Sequence, residues 1–203
     1  MSKKLPMTAI ILAGGKSSRM GQDKAFLKFG EKTMLEFLIG ILVSVFSETL
    51  IVVDKKSKLE GLALGSAKVR EDLVKDRDPL MAVYTGLVHS RTQASCVLTC
   101  DMPFIDEMTI RELVSFWKEG WDAVCLEDFE ERLNPFPGIY TRSSRSLMRM
   151  LLDQGEYSMK RFLEIAAVKS LVVKRERIRI LTNMNTIEDY YSALKEKEEE
   201  IRG

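Results

Sequence analysis

Ala9-Ile-Ile-Leu-Ala-Gly-Gly-Lys-Ser-Ser-Arg-Met-Gly-Gln-Asp-Lys24 decides how the rest of this chain is read. An apolar, β-branched run over residues 7–13 stops at Gly14-Gly15, and Lys16, Arg19 and Lys24 follow within one short loop. Glycines let backbone N–H groups come close to a ligand, and clustered cations favour an anion. The stretch therefore predicts a phosphate cradle at the carboxyl end of a first strand. Two better-known cradles fail. Gly15-Lys16-Ser17 imitates the end of a Walker A loop, but Ile10 stands where its first glycine belongs, and no Gly-x-Gly-x-x-Gly occurs.

Outward from that loop, strand-like and helix-like segments alternate. Strands are expected over residues 49–53, 67–70, 95–99 and 121–126, after the first at 7–13. Helices are expected from the capping-box spacing Thr33-Met-Leu-Glu36 to about Phe46, over 80–90 behind Pro79, and from Asp106 to about Glu119. Ser57-Lys-Leu-Glu60 repeats the capping-box spacing and predicts a short helix. Further on, 139–141 is a strand candidate, a helix follows to about Leu152, and another begins at Ser158. Segments 169–173 and 177–181 read as late strands, and Asn183-Met-Asn-Thr186 caps the last helix. Such βαβ repetition predicts an α/β fold of three layers, a mainly parallel central sheet with helices on both faces. At 203 residues, without a linker or an internal repeat, the chain reads as one domain over 1–203.

Composition narrows the function. A formal net charge of +1 lacks the basic excess of a nucleic-acid-binding domain. Three cysteines and one histidine make a Cys/His zinc site a poor fit, and Cys96 and Cys100, on one strand, are too far apart to bridge. His89 reads as a helix-end residue rather than a catalyst, and Met148, Met150, Trp117 and Trp121 read as packing. The apolar run near the N-terminus is too short for a membrane span or a signal-peptide core, so a cytoplasmic protein with no membrane partner is expected.

In an open parallel sheet, ligands collect at the carboxyl ends of the strands. Four features fall there: the glycine loop, Asp54, Asp72 and Asp101. Asp101 follows an apolar strand and precedes Met102-Pro103, so its carboxylate projects from the strand end. Magnesium commonly takes one or two protein carboxylates and fills its remaining positions with phosphate oxygens and water. A cation cluster facing an Asp-held magnesium suits a nucleoside triphosphate, with in-line attack by an acceptor and pyrophosphate as leaving group.

Leu12-Ala-Gly-Gly15, Ser18-Arg-Met-Gly21, Asp23-Lys24, Asp72, Pro79-Leu80, Cys100-Asp101-Met102-Pro103 and Asn183-Met-Asn-Thr186 together resemble the molybdenum-cofactor guanylyltransferases. These are nucleotidyltransferases with a GT-A-like, Rossmann-like fold of the nucleotide-diphospho-sugar transferase type. The resemblance implies transfer of GMP from GTP-magnesium to the terminal phosphate of molybdenum-bound molybdopterin. It implies that Leu12, Ala13, Gly14 and Gly15 line the nucleotide. Arg19 and Lys24 would hold phosphates, Asp54 and Asp72 would sit in the GTP site, and Asp101 would bind Mg2+. Asn183 and Asn185 would lie at the acceptor cleft, with a helix-capping role also open to Asn185. Molybdoenzymes or cofactor-delivery proteins are the protein partners it implies. The chain departs from the family in three places. It has Asp78-Pro-Leu-Met-Ala82 where Gly-Pro-Leu-x-Gly is usual, Asp54 where an asparagine is common, and Asn134 before Pro135. A relative using CTP or another nucleotide and acceptor, and a non-catalytic nucleotide-binding relative, remain the alternatives at this point.

Overall fold

The computed structural model describes residues 3–14, 23–73 and 79–202. Gly15 and Arg19, together with Lys16, Gly21 and Asp78, lie outside the described residues. Nine strands are described: β1 (Leu5–Leu12), β2 (Lys28–Phe29), β3 (Lys32–Thr33), β4 (Phe46–Val53), β5 (Lys68–Glu71), β6 (Ala94–Thr99), β7 (Ala123–Glu127), β8 (Leu133–Thr141) and β9 (Val168–Val172). The α-helices are α1 (Met34–Val45), α2 (Pro79–His89), α3 (Glu107–Phe116), α4 (Arg145–Asp153), α5 (Met159–Ile165) and α6 (Ile187–Arg202).

Seven strands form one sheet in the order β5-β4-β1-β6-β8-β7-β9, and β2 and β3 form a small hairpin apart from it. β1 pairs in parallel with β4 on one side and β6 on the other. The chain leaves β1 for β4 and β5 and then crosses back to β6, so the strand order reverses at β1. That reversal opens the ligand-binding crevice of doubly wound sheets.

Both faces of the sheet are covered, which is why its central strands are continuous apolar runs rather than alternating ones. Ala9, Ile11, Val53, Cys96 and Leu98 face one core shared with α1 and α3. Ile10, Leu12, Leu50, Val52 and Val97 face the other, shared with α2, α4 and α5. Cys96, Cys100 and Cys125 are buried free thiols. Burial pushes Cys96 and Cys125 up to about 12, so neither supplies a thiolate nucleophile.

The capping box at α1 forms as the spacing predicts. Thr33 Oγ1 accepts from Glu36 N at 3.2 Å, and Glu36 returns a carboxylate oxygen to Thr33 N at 2.8 Å. Backbone N–H groups of Ala63 and Thr33 hold the Glu36 carboxyl down at about 2. A depressed carboxylate contributes stability above its usual range and loses it as pH falls toward about 2. Thr33→Ala is expected to cost about 1 kcal/mol of unfolding free energy. A urea titration checks this, and an unchanged midpoint would refute it.

Several expectations change. Residues 57–60 form no α-helix; a 3-10 turn, Lys56–Leu59, takes their place with no side-chain cap. Lys56 N donates instead to Glu71 Oε1 at 3.0 Å, and Gly61 turns the chain at φ +83° before a second turn can form. Segment 177–181 is not a strand but the end of a 3-10 helix, Arg175–Leu181. It lies past β9 at the sheet edge, and Arg177 is drawn onto α3 through Thr109 and Glu112 at 2.6 and 2.7 Å. Trp121 and Met150 are exposed rather than packed. On α4 the buried side is Met148, Leu151 and Leu152, which turns Met150 outward.

The largest change is β8. It is longer than residues 139–141 and runs antiparallel between β6 and β7. Two prolines sit inside it. The register with β7 passes from Cys125↔Gly138 directly to Leu126↔Asn134, so Pro135, Phe136 and Pro137 bulge out of the ladder. Pairing with β6 also stops at Gly138, so neither proline is asked to donate. Tyr140 Oη pins the bulge by donating to Pro135 O at 2.6 Å. A methyl on Gly138 would lie 2.6 Å from that same oxygen, which reserves the position for glycine.

Candidate active site

The candidate site is assembled at the carboxyl ends of β1, β4, β5 and β6. Leu12 and Ala13 are buried in the terminus of β1, and Ala13 N donates to Val52 O at 2.8 Å, carrying the β1–β4 ladder one residue further. Gly14 then passes close to β4: a methyl there would stand 3.3 Å from Asp54 N. The two strand ends are held together where the first strand must release its loop.

Asp23 accepts from Ala25 N at 3.3 Å and caps the 3-10 turn Lys24–Phe26. Ala25 is buried, so the turn is seated on the core and Lys24 projects from a fixed base. Lys24 Nζ lies 3.2 Å from Asp101 Oδ2 and donates to Asn185 Oδ1 at 3.1 Å. Three residues far apart in sequence, all singled out as site candidates, thus meet at one ammonium group.

Asp101 follows β6 directly. Its Oδ1 accepts from Thr99 Oγ1 at 2.6 Å, which fixes the carboxylate against the strand it leaves. Its carbonyl accepts from Met184 N at 2.8 Å, and Met184 is fully buried. That anchor brings the segment before α6 onto the end of β6 and delivers Asn185 to Lys24. The cap of α6 falls to Thr186, not Asn185: Asp189 N donates to Thr186 Oγ1 at 3.1 Å. Backbone donors from Thr186 and Asn185 hold the Asp189 carboxyl below its usual range. The Asn185 side chain is thereby left to the site. Asn183 is exposed on the same segment.

Asp72 and Asp54 line the other flank. Asp72 N donates to Val53 O at 2.8 Å, and its Oδ1 accepts from Thr85 Oγ1 of α2 at 2.6 Å. Asp54 pairs with Lys58 at 2.9 Å through Oδ2. Its Oδ1 is buried with no donor among the described residues. Thr99, Asp23 and Lys58 were not anticipated as parts of this site. The i,i+4 spacing of Asp54 and Lys58 was a signal available in the sequence.

The donor set suits a hard cation that keeps most of its shell for phosphate and water. Asp101 is an oxygen donor with a side chain 19 % exposed, and each of its oxygens retains lone-pair capacity beyond the contacts above. Among the described residues no group of three His, Cys, Asp or Glu could cage a metal. Magnesium needs no such cage. No helix among the described residues is long and apolar enough to cross a membrane.

Residues 9–172 match the MobA-like NTP transferase domain family. A Clostridium perfringens protein named probable molybdenum cofactor guanylyltransferase is 31% identical over 201 residues, covering 94% of this chain and 98% of its own. A protein of the same name from Aquifex aeolicus is 28% identical, covering 90% and 87%. Among solved structures, the molybdopterin-guanine dinucleotide biosynthesis protein A of Archaeoglobus fulgidus superposes with a TM-score of 0.81 at 22% identity, covering 95% of this chain and all of its own. The 2-C-methyl-D-erythritol 4-phosphate cytidylyltransferase of Thermus thermophilus shares the fold at a TM-score of 0.70 and 14% identity, with 96% and 100% covered.

Proposed function

This chain belongs to the MobA-like NTP transferase family, and from that premise we propose that it transfers GMP from GTP to the terminal phosphate of molybdenum-bound molybdopterin. The observation that carries the reading is the meeting of Lys24, Asp101 and Asn185 at the carboxyl end of β6, beside the paired end of β1. The name shared by relatives about 30% identical over nearly the whole chain supplies the substrate class.

The chemistry follows from the charges. An oxygen of the acceptor phosphate attacks the α-phosphorus of GTP, a new P–O bond forms, and the bond to the bridging oxygen breaks to release pyrophosphate. No enzyme nucleophile is needed, so catalysis rests on positioning and on stabilising negative charge. Leu12, Ala13, Gly14 and Gly15 line the nucleotide with backbone. Lys24 and Arg19 hold its phosphates, and Asp54 and Asp72 border the nucleoside side. Asn185 and Asn183 face the acceptor, and Asn185 orients Lys24 through the bond described above. Asp101 would hold Mg2+, which when bound neutralises triphosphate charge and the charge developing on pyrophosphate. The substrates are then GTP and molybdenum-molybdopterin, and molybdoenzymes or delivery proteins receive the product downstream.

The test is direct. Incubation with molybdenum-molybdopterin, magnesium and each of GTP, CTP, ATP and UTP should yield a guanine dinucleotide by mass spectrometry. GTP should lead each other nucleotide by about a hundredfold or more in kcat/KM. A preference for CTP or UTP would overturn the guanylyl assignment.

A further inference from the structure

One cation at the nucleotide flank has no part in the chemistry above, yet it touches both sides of the cradle. Lys58 Nζ lies 3.2 Å from Asp23 Oδ2 and 2.9 Å from Asp54 Oδ2. Asp23 caps the turn that carries Lys24. Asp54 directly follows β4, where Gly14 passes it at close range. The two carboxylates therefore stand at the two described margins of the glycine loop, on either side of one ammonium group.

The platform behind Lys58 is fixed. Leu59, the next residue, is buried in the core, and Lys56 N is held by Glu71 Oε1 at 3.0 Å on the neighbouring β5. Burial works against the charge of Lys58, but hydrogen bonds to Asp54 and Asp23 outweigh it and raise its pKa. The ammonium stays charged wherever the two carboxylates are ionised.

Resting on the nucleotidyltransferase reading, we infer that Lys58 is a positioning residue for GTP. It acts through Asp23 and Asp54, pinning both margins of the cradle and offsetting part of their charge. A triphosphate brings several negative charges to this end of the sheet, and two bare carboxylates beside it would repel it. Lys58 also determines which Asp54 oxygen is committed. Oδ2 is on Lys58, and the buried Oδ1 has no donor among the described residues.

The test is GTP binding by titration calorimetry with magnesium and no acceptor, alongside steady-state kinetics. Lys58→Met should raise the Kd and KM for GTP about tenfold, while kcat changes by less than about threefold. Lys58→Arg should restore most of the affinity. In an Asp54→Asn background the same Lys58→Met change should cost only about two- to threefold, because one of the two charges it offsets is gone. A merely structural lysine would instead lower Tm and leave the GTP Kd unchanged, and that result overturns the inference. So does a Lys58→Met effect of equal size in both backgrounds. Should the wild-type chain bind no GTP at all, the nucleotidyltransferase reading itself fails; should it bind GTP with Lys58→Met binding equally well, only the role of Lys58 fails.

Discussion

Asp101→Ala is expected to reduce GMP transfer by about a thousandfold or more at saturating GTP and magnesium. The size of the loss follows from how the carboxylate is held. It is fixed between Thr99 Oγ1 at 2.6 Å and Lys24 Nζ at 3.2 Å, so it arrives at the site already oriented. Removing it takes away the proposed Mg2+ ligand and leaves Lys24 with one fewer anchor. The fold should survive, because the bond that ties the segment before α6 to β6 uses the Asp101 carbonyl, which alanine keeps. A partly exposed ion pair also contributes little to stability. Thermal unfolding within a few degrees of wild type, together with lost dinucleotide formation, is the expected pair of results. Retention of full turnover at saturating magnesium would remove Asp101 from the mechanism.

The sequence made some of this plain and hid the rest for physical reasons. β1, β4 and β6 were legible because strands buried on both faces are written as unbroken apolar runs. The residues just beyond them, Gly14, Asp54 and Asp101, followed as site candidates from the geometry of a doubly wound sheet. The caps at Thr33 and Asp106 were legible because a cap is a local device: Asp106 Oδ1 accepts from Thr109 N at 2.6 Å, three residues away. The Ser57–Glu60 spacing misled because Gly61, at φ +83°, turns the chain away before a second helical turn can form. β8 was hidden by its prolines. Whether a proline is tolerated depends on whether its neighbours need its N–H, and both ladders release residues 135–137. Lys58 was overlooked for a related reason: a surface-looking lysine acquires meaning only when Asp23, thirty-five positions away, is brought to it. Gly15 and Arg19 are expectations from the sequence, carried into the proposed mechanism on the loop's composition and the family resemblance.

Lys24→Ala should lower kcat/KM by about a hundredfold or more. Lys24 Nζ is held by Asp101 Oδ2 and Asn185 Oδ1, at 3.2 and 3.1 Å, on a turn whose Ala25 is sunk in the core. Such a cation costs no reorganisation when phosphate charge develops beside it. Lys24→Arg should recover only a small part of the loss. A planar, forked guanidinium cannot replace a compact ammonium seated between those two oxygens. Because Lys24 and Asp101 form one contact, their effects should not add. The double variant Lys24→Ala/Asp101→Ala should be no more than a few-fold slower than Asp101→Ala alone, since residues that act as a unit lose their joint contribution once. Single-turnover GMP transfer across the four proteins measures that coupling. Strictly multiplicative losses would mean that the ion pair is incidental and that the two residues serve separate steps.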